Sequence, residues 1–82
     1  MDWEHQMIEK NPIRRYRRLL DVSRRSLGVL LGVTEQTIGA WEMGSYRPGI
    51  AHAEELQLKT GITLESIDEW TAEYRRLLTT PA

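Results

Sequence analysis

Two apolar-patterned stretches, Arg24–Leu31 and Glu35–Met43, are separated by only three residues, Gly32-Val33-Thr34, and this spacing constrains the fold more than any other feature of the chain. Each stretch carries its own start and stop. Ser23 and Thr34 can accept hydrogen bonds from the free amides of a first helical turn, and Gly32 and Gly44 can take the positive φ that ends one. Two helices joined by so short a glycine-containing turn pack near a right angle and need a small residue where they cross. Gly28 is placed to be that residue, with Val33 filling the space beneath the turn. Leu27, Leu30 and Leu31 form the inner face of the first helix, and Ile38 and Trp41 that of the second. Glu35, Gln36, Thr37, Gly39 and Ala40 are left facing outward.

The rest of the chain continues the helical pattern. Asn11-Pro12 combines an amide-capping side chain with a proline at the first helical position, where its missing donor is not needed. The helix it starts runs to about Leu20, with Ile13, Tyr16, Arg17 and Leu20 on one stripe. An arginine in an inward stripe needs a partner. Pro48 starts a further helix to about Thr60, with Ile50, Ala53 and Leu56 inward and Gly61 as its stop. Thr63 can cap a last helix, Leu64 to about Leu78, in which Leu64, Ile67, Tyr74 and Leu78 share a stripe widened by Trp70 and Leu77. No segment alternates cleanly in polarity, so no sheet is expected. The chain therefore reads as an all-α, five-helix domain. Residues 1–10 form an N-terminal arm or short helix, 11–67 the helix-turn-helix domain, and 68–82 a helical extension.

Only 82 residues are available, and a chain this short buries about 60% of the surface it exposes when unfolded. With 40% apolar and 28% charged residues the composition is that of a globular chain with a marginal core. There is no cysteine, which excludes disulfide staples and thiolate metal sites and makes dimerisation a reasonable expectation. No apolar run approaches the roughly 20 residues of a membrane span, and the first ten residues have no signal-like pattern, so a cytoplasmic protein is expected. The net charge of −1 conceals an uneven distribution. Residues 1–9 and 48–82 each carry −3, whereas Lys10 to Arg47 carries eight basic residues against three acidic ones. A polyanion would meet the protein there, although arginines also suit solvated helix faces.

The phrases Leu27-Gly28, Leu31-Gly32-Val33-Thr34, Thr37-Ile38, Trp41-Glu42-Met43-Gly44 and Arg47-Pro48 resemble the helix-turn-helix repressors of the phage Cro and lambda-repressor type, the Xre family. The resemblance covers about residues 12 to 67. Three positions depart from it: Arg24 where Gln or Asn is usual, Gly28 where Ala is usual, and Thr60 where Leu is usual. The extension past Ile67 is also longer than the usual short fifth helix. The resemblance implies a lambda-repressor-like DNA-binding domain in which Arg17 pairs with Glu42, a structural role preferred to a phosphate contact by Arg17. It also implies that the Glu35–Met43 helix lies in the major groove. Gln36 is the best candidate to read a base, through adenine N6 and N7, while Thr37 can touch a thymine methyl or a phosphate and Ala40 is small enough to admit a methyl. Glu35 can accept from cytosine N4, yet an acid in a first turn also suits the helix dipole, which is the preferred reading. Arg24, at the start of its helix, and Ser45, Tyr46 and Arg47 beyond the other helix are expected at phosphates. Arg14, Arg15, Arg18 and Arg25 also fit a solvated face, and about half of them, Arg25 included, are expected to approach DNA.

Catalysis finds no support, since His5 and His52 are isolated, no metal-ligand spacing is present and no cofactor loop precedes a helix. The expected protein is a dimeric transcriptional regulator, a Cro-like repressor or a restriction-modification controller, on a palindromic double-stranded operator. The rival reading keeps the fold for protein contacts, as in an antitoxin holding a toxin. Trp70, Tyr74, Leu77 and Leu78 exceed what the core can cover. They either fold back over Trp3 and Met7 or, as preferred, pack against the same helix of a second chain.

Overall fold

The structure, a computed structural model, describes residues 2–80; positions 1, 81 and 82, at the outer ends of the 1–10 and 68–82 segments, lie outside it. Its elements are α1 (Trp3–Glu9), α2 (Pro12–Leu20), α3 (Arg24–Leu31), α4 (Glu35–Glu42), α5 (Ile50–Thr60) and α6 (Leu64–Thr79), with no strand among the described residues. No helix among them is long and apolar enough to cross a membrane.

Side-chain caps start most of these helices. Asn11 Oδ1 accepts from the amides of Ile13 and Arg14 at 2.9 and 3.2 Å, and Pro12 occupies the first turn of α2. Ser23, Thr34 and Thr63 accept from Ser26, Thr37 and Ser66 at 3.0 to 3.2 Å. Each satisfies an amide that has no partner within its helix. α1 is a seven-residue helix, too short to persist alone. It is anchored by the burial of Met7 and by the Trp70 indole, whose Nε1 donates to the Met7 carbonyl at 2.6 Å.

The core joins Ile13, Leu27, Leu31, Ile38, Trp41, Leu56, Ile62 and Ile67, with Tyr16, Val22 and Val33 packed against it. α3 and α4 form the most extensive helix pair. At their crossing a Cβ on Gly28 would stand 2.6 Å from the Val33 carbonyl oxygen, and the Val33 amide donates to the Gly28 carbonyl at 2.9 Å. The backbones are in direct contact there, so no larger residue enters without moving the turn.

Three residues expected inside lie at the surface. Leu20 is 57% exposed because Asp21 takes the left-handed conformation, φ 55°, and turns Val22 into the core in its place. Leu30 is 45% exposed, since Leu27 and Leu31, one turn apart, already make the inner stripe of an eight-residue helix. Ile50 is 75% exposed because α5 starts at Ile50 and not at Pro48; Pro48 is buried in the preceding loop and the first turn of α5 overhangs the core. At the other end of α5, Lys59 Nζ donates to the Leu30 carbonyl at 2.9 Å, tying α5 to the end of α3.

Candidate nucleic-acid interface

α4 is clamped from behind. Ile38, Trp41 and Glu42 on its inner face are buried, and the Asn11 amide donates to the Trp41 carbonyl at 3.2 Å. Asn11 is itself fully buried, because the residue that caps α2 also satisfies an end carbonyl of α4. Its second partner lies 30 residues away, and no local signal in the sequence pointed to it.

Glu42 is the electrostatic centre of the domain. Its fully buried carboxylate accepts hydrogen bonds from Arg17 Nε and Nη2 at 2.6 and 2.9 Å, and Arg17 Nη1 donates to the Val22 carbonyl at 3.1 Å. Arg14 and Arg24 approach the same carboxylate, each at 3.5 Å. Burial pushes the Glu42 carboxyl up, but the Arg17 hydrogen bond and the charges of Arg17 and Arg24 outweigh it and hold the group below its ordinary value. The same hydrogen bond holds the Arg17 guanidinium above its ordinary value.

With its inner face fixed, α4 presents Glu35 and Gln36 to solvent, with Thr37, Gly39 and Ala40 half-buried beside them. Thr37 Oγ1 is 3.0 Å from Thr34 Oγ1, so the hydroxyl is engaged at the cap. A shallow hollow of about 300 Å³, bounded by Gln36, Thr37, Ala40 and Tyr46, opens on one flank. On the other, Arg24 lies over Gly39 in a hollow shared with Glu35, Gln36, Ala40 and Met43. Ser45 and Tyr46 are exposed just beyond the helix.

The basic block is less free than its charge suggests. Glu9, outside the block, is hydrogen-bonded to Arg14 at 3.0 Å and lies 3.4 Å from Arg18; the Arg14 hydrogen bond holds its carboxyl below the ordinary value. Arg47 makes a two-pronged ion pair with Asp68 of α6 at 2.9 and 3.0 Å, which lowers the Asp68 carboxyl and raises the guanidinium. Arg15 and Arg25 are exposed and take part in no ion pair among the described residues.

The apolar stripe of α6 is divided. Trp70 is 6% exposed, roofed by Gly44, where a Cβ would stand 3.2 Å from the indole ring. Tyr74 stacks on Trp70 with ring centroids 5.1 Å apart and meets Trp3 edge-on at 6.2 Å. Within the chain Trp70 and Tyr74 thus take the fold-back arrangement over Met7 and Trp3 of α1. Leu77 remains half-buried and Leu78 exposed.

No significant match links the chain to a curated protein or to a solved structure. Residues 13–67 do match a family model described as helix-turn-helix, a span that runs from Ile13 through the α3–α4 pair to Ile67 and takes in most of the chain. An all-helical fold, two helices crossing at a close-packed glycine and an outward face of short polar side chains agree with that match, and the chain belongs to the helix-turn-helix family of DNA-binding transcription regulators of the Cro and lambda-repressor type.

Proposed function

We propose that this protein is a sequence-specific repressor that binds a palindromic operator as a homodimer, with α4 in the major groove. The carrying observation is the two-sided construction of α4: one face is fixed by Trp41, Glu42 and Asn11, while Gln36 and Ala40 stand outward between two hollows. A helix held this firmly places its side chains against base edges without an ordering cost. Gln36 reads a base, Ala40 and the Thr37 methyl receive a thymine methyl, and Glu35 stabilises the first turn. Arg25, Ser45 and Tyr46 contact phosphates. Leu77 and Leu78, at the far end of α6, join the two copies and set the recognition helices about 34 Å apart.

Selection of bound duplexes from random DNA, combined with sedimentation, tests this reading. A site with two inverted half-sites about 10 base pairs apart and a dimeric complex are expected; an asymmetric site on a monomer refutes the dimer. Gln36→Ala is expected to cost roughly 1–3 kcal/mol on the preferred site and much less on random DNA.

Asp68 holds Arg47 Nε and Nη2 and offsets the charge that Arg47 would bring to a phosphate. Asp68→Asn should therefore tighten binding at low salt, an effect that shrinks as salt screens it. Equal affinity of the two proteins in a titration at low salt would place Arg47 away from DNA.

A further inference from the structure

Arg24 differs from the other arginines of the basic block. Its Nε is buried and lies 3.5 Å from Glu42 Oε2, at the outer limit of a hydrogen bond, so the root of the guanidinium is held by a long ion-pair contact. That carboxylate is already occupied by the paired hydrogen bonds of Arg17, and the charge of Arg24 is left largely available. The side chain, 40% exposed as a whole, lies across the outer surface of α4. A Cβ on Gly39 would stand 3.5 Å from Arg24 Nη1, 3.7 Å from Cζ and 3.9 Å from Nε. Any longer side chain at Gly39 would project into the guanidinium. Glu35, Gln36, Ala40 and Met43 line the same hollow.

An arginine committed to a phosphate reaches away from the helix towards the strand backbone. Arg24 instead lies beside Gln36 on the outer surface of α4, with Nη1 over Gly39, so that with α4 in the groove its N–H donors would stand near base edges. Guanine offers two acceptors, O6 and N7, in the geometry of a planar guanidinium fork, whereas adenine presents a donor at N6. We propose that Arg24 reads a guanine in the major groove, held in place by Glu42 and by the absence of a side chain at Gly39. The assignment rests on the operator-binding reading above.

Sites selected by the wild-type protein are expected to carry a guanine at one position of each half-site, favoured roughly 5- to 150-fold over other bases. Arg24→Ala should abolish the preference at that position while retaining the rest of the site; Arg24→Lys should reduce it, and Gly39→Leu should mimic Arg24→Ala. Placing 7-deazaguanine there removes the N7 acceptor without altering pairing. It should weaken binding of the wild-type protein, an arm that needs no variant to fold, and make no difference to Arg24→Ala. If 7-deazaguanine has no effect on the wild-type protein, the assignment fails. If Arg24→Ala weakens all sequences equally, with a salt slope about one unit smaller, Arg24 is a phosphate contact and this assignment alone falls. If the wild-type protein selects no sequence, the operator reading falls and takes the assignment with it.

Discussion

Glu42→Gln is expected to remove about 3–5 kcal/mol of unfolding free energy at neutral pH, the usual cost of breaking a buried ion pair from one side. The substitution keeps shape and removes charge, leaving Arg17, at 13% side-chain exposure, without its counter-ion and with Arg14 and Arg24 close by. In a domain whose stability is on the order of 5–15 kcal/mol, that is a large share. The pH dependence has a definite sign. The Glu42 carboxyl is held below its ordinary value in the folded protein, so its contribution is complete above the unfolded value and is lost as pH falls through the folded one. Urea unfolding curves of the wild-type protein and Glu42→Gln should therefore differ most at pH 7, begin to approach each other only as the pH falls below the ordinary glutamate value of about 4.3, and converge at more acid pH. A difference that persists unchanged into acid would mean that packing, and not charge, carries the effect. Replacing both partners, Arg17→Met with Glu42→Met, should recover part of the loss, because neither charge is then stranded.

Trp70→Ala should cost about 3–5 kcal/mol, the range for removing a large buried aromatic side chain. The indole joins three parts of the chain: it donates to the Met7 carbonyl, lies under Gly44 and stacks on Tyr74. Its loss opens a cavity and removes the shorter of the hydrogen bonds that the Met7 carbonyl accepts, leaving it the Lys10 amide at 3.1 Å. Trp70→Phe keeps most of the apolar surface and loses the hydrogen bond, and a smaller cost of about 1–2 kcal/mol is expected. Hydrogen exchange should show α1 amides losing protection in Trp70→Ala before those of α3 and α4, since α1 is a short helix outside the main core and the indole is its buried hydrogen-bonded anchor. A Trp70→Ala protein that unfolds at the wild-type urea concentration but sediments as a monomer would return Trp70 to an interface between two chains.

The sequence by itself determined the helices and the turn that defines the family. Asn11, Ser23, Thr34 and Thr63 cap amides two or three residues ahead, and Gly32, Gly44 and Gly61 turn the chain with positive φ. Such interactions close within one helical turn and are legible in any short window of residues. The helix-turn-helix spacing is equally local, because Gly28 meets Val33 across only five positions. The tertiary structure decided what depends on partners far along the chain. Asn11 finds Trp41 across 30 residues, Arg47 finds Asp68 across 21, and Trp70 finds Met7 across 63. It also decided which apolar residues are inside: Leu30 lies off the covered stripe of α3, while Leu20 and Ile50 sit in the terminal turns of α2 and α5 and are left exposed. A periodic pattern states that a helix has an apolar face, but the angle at which helices cross selects which residues of that face are covered. For the same reason the run of arginines announced a charge, and only the folded positions of Glu9, Glu42 and Asp68 decided which of those charges are already answered within the chain.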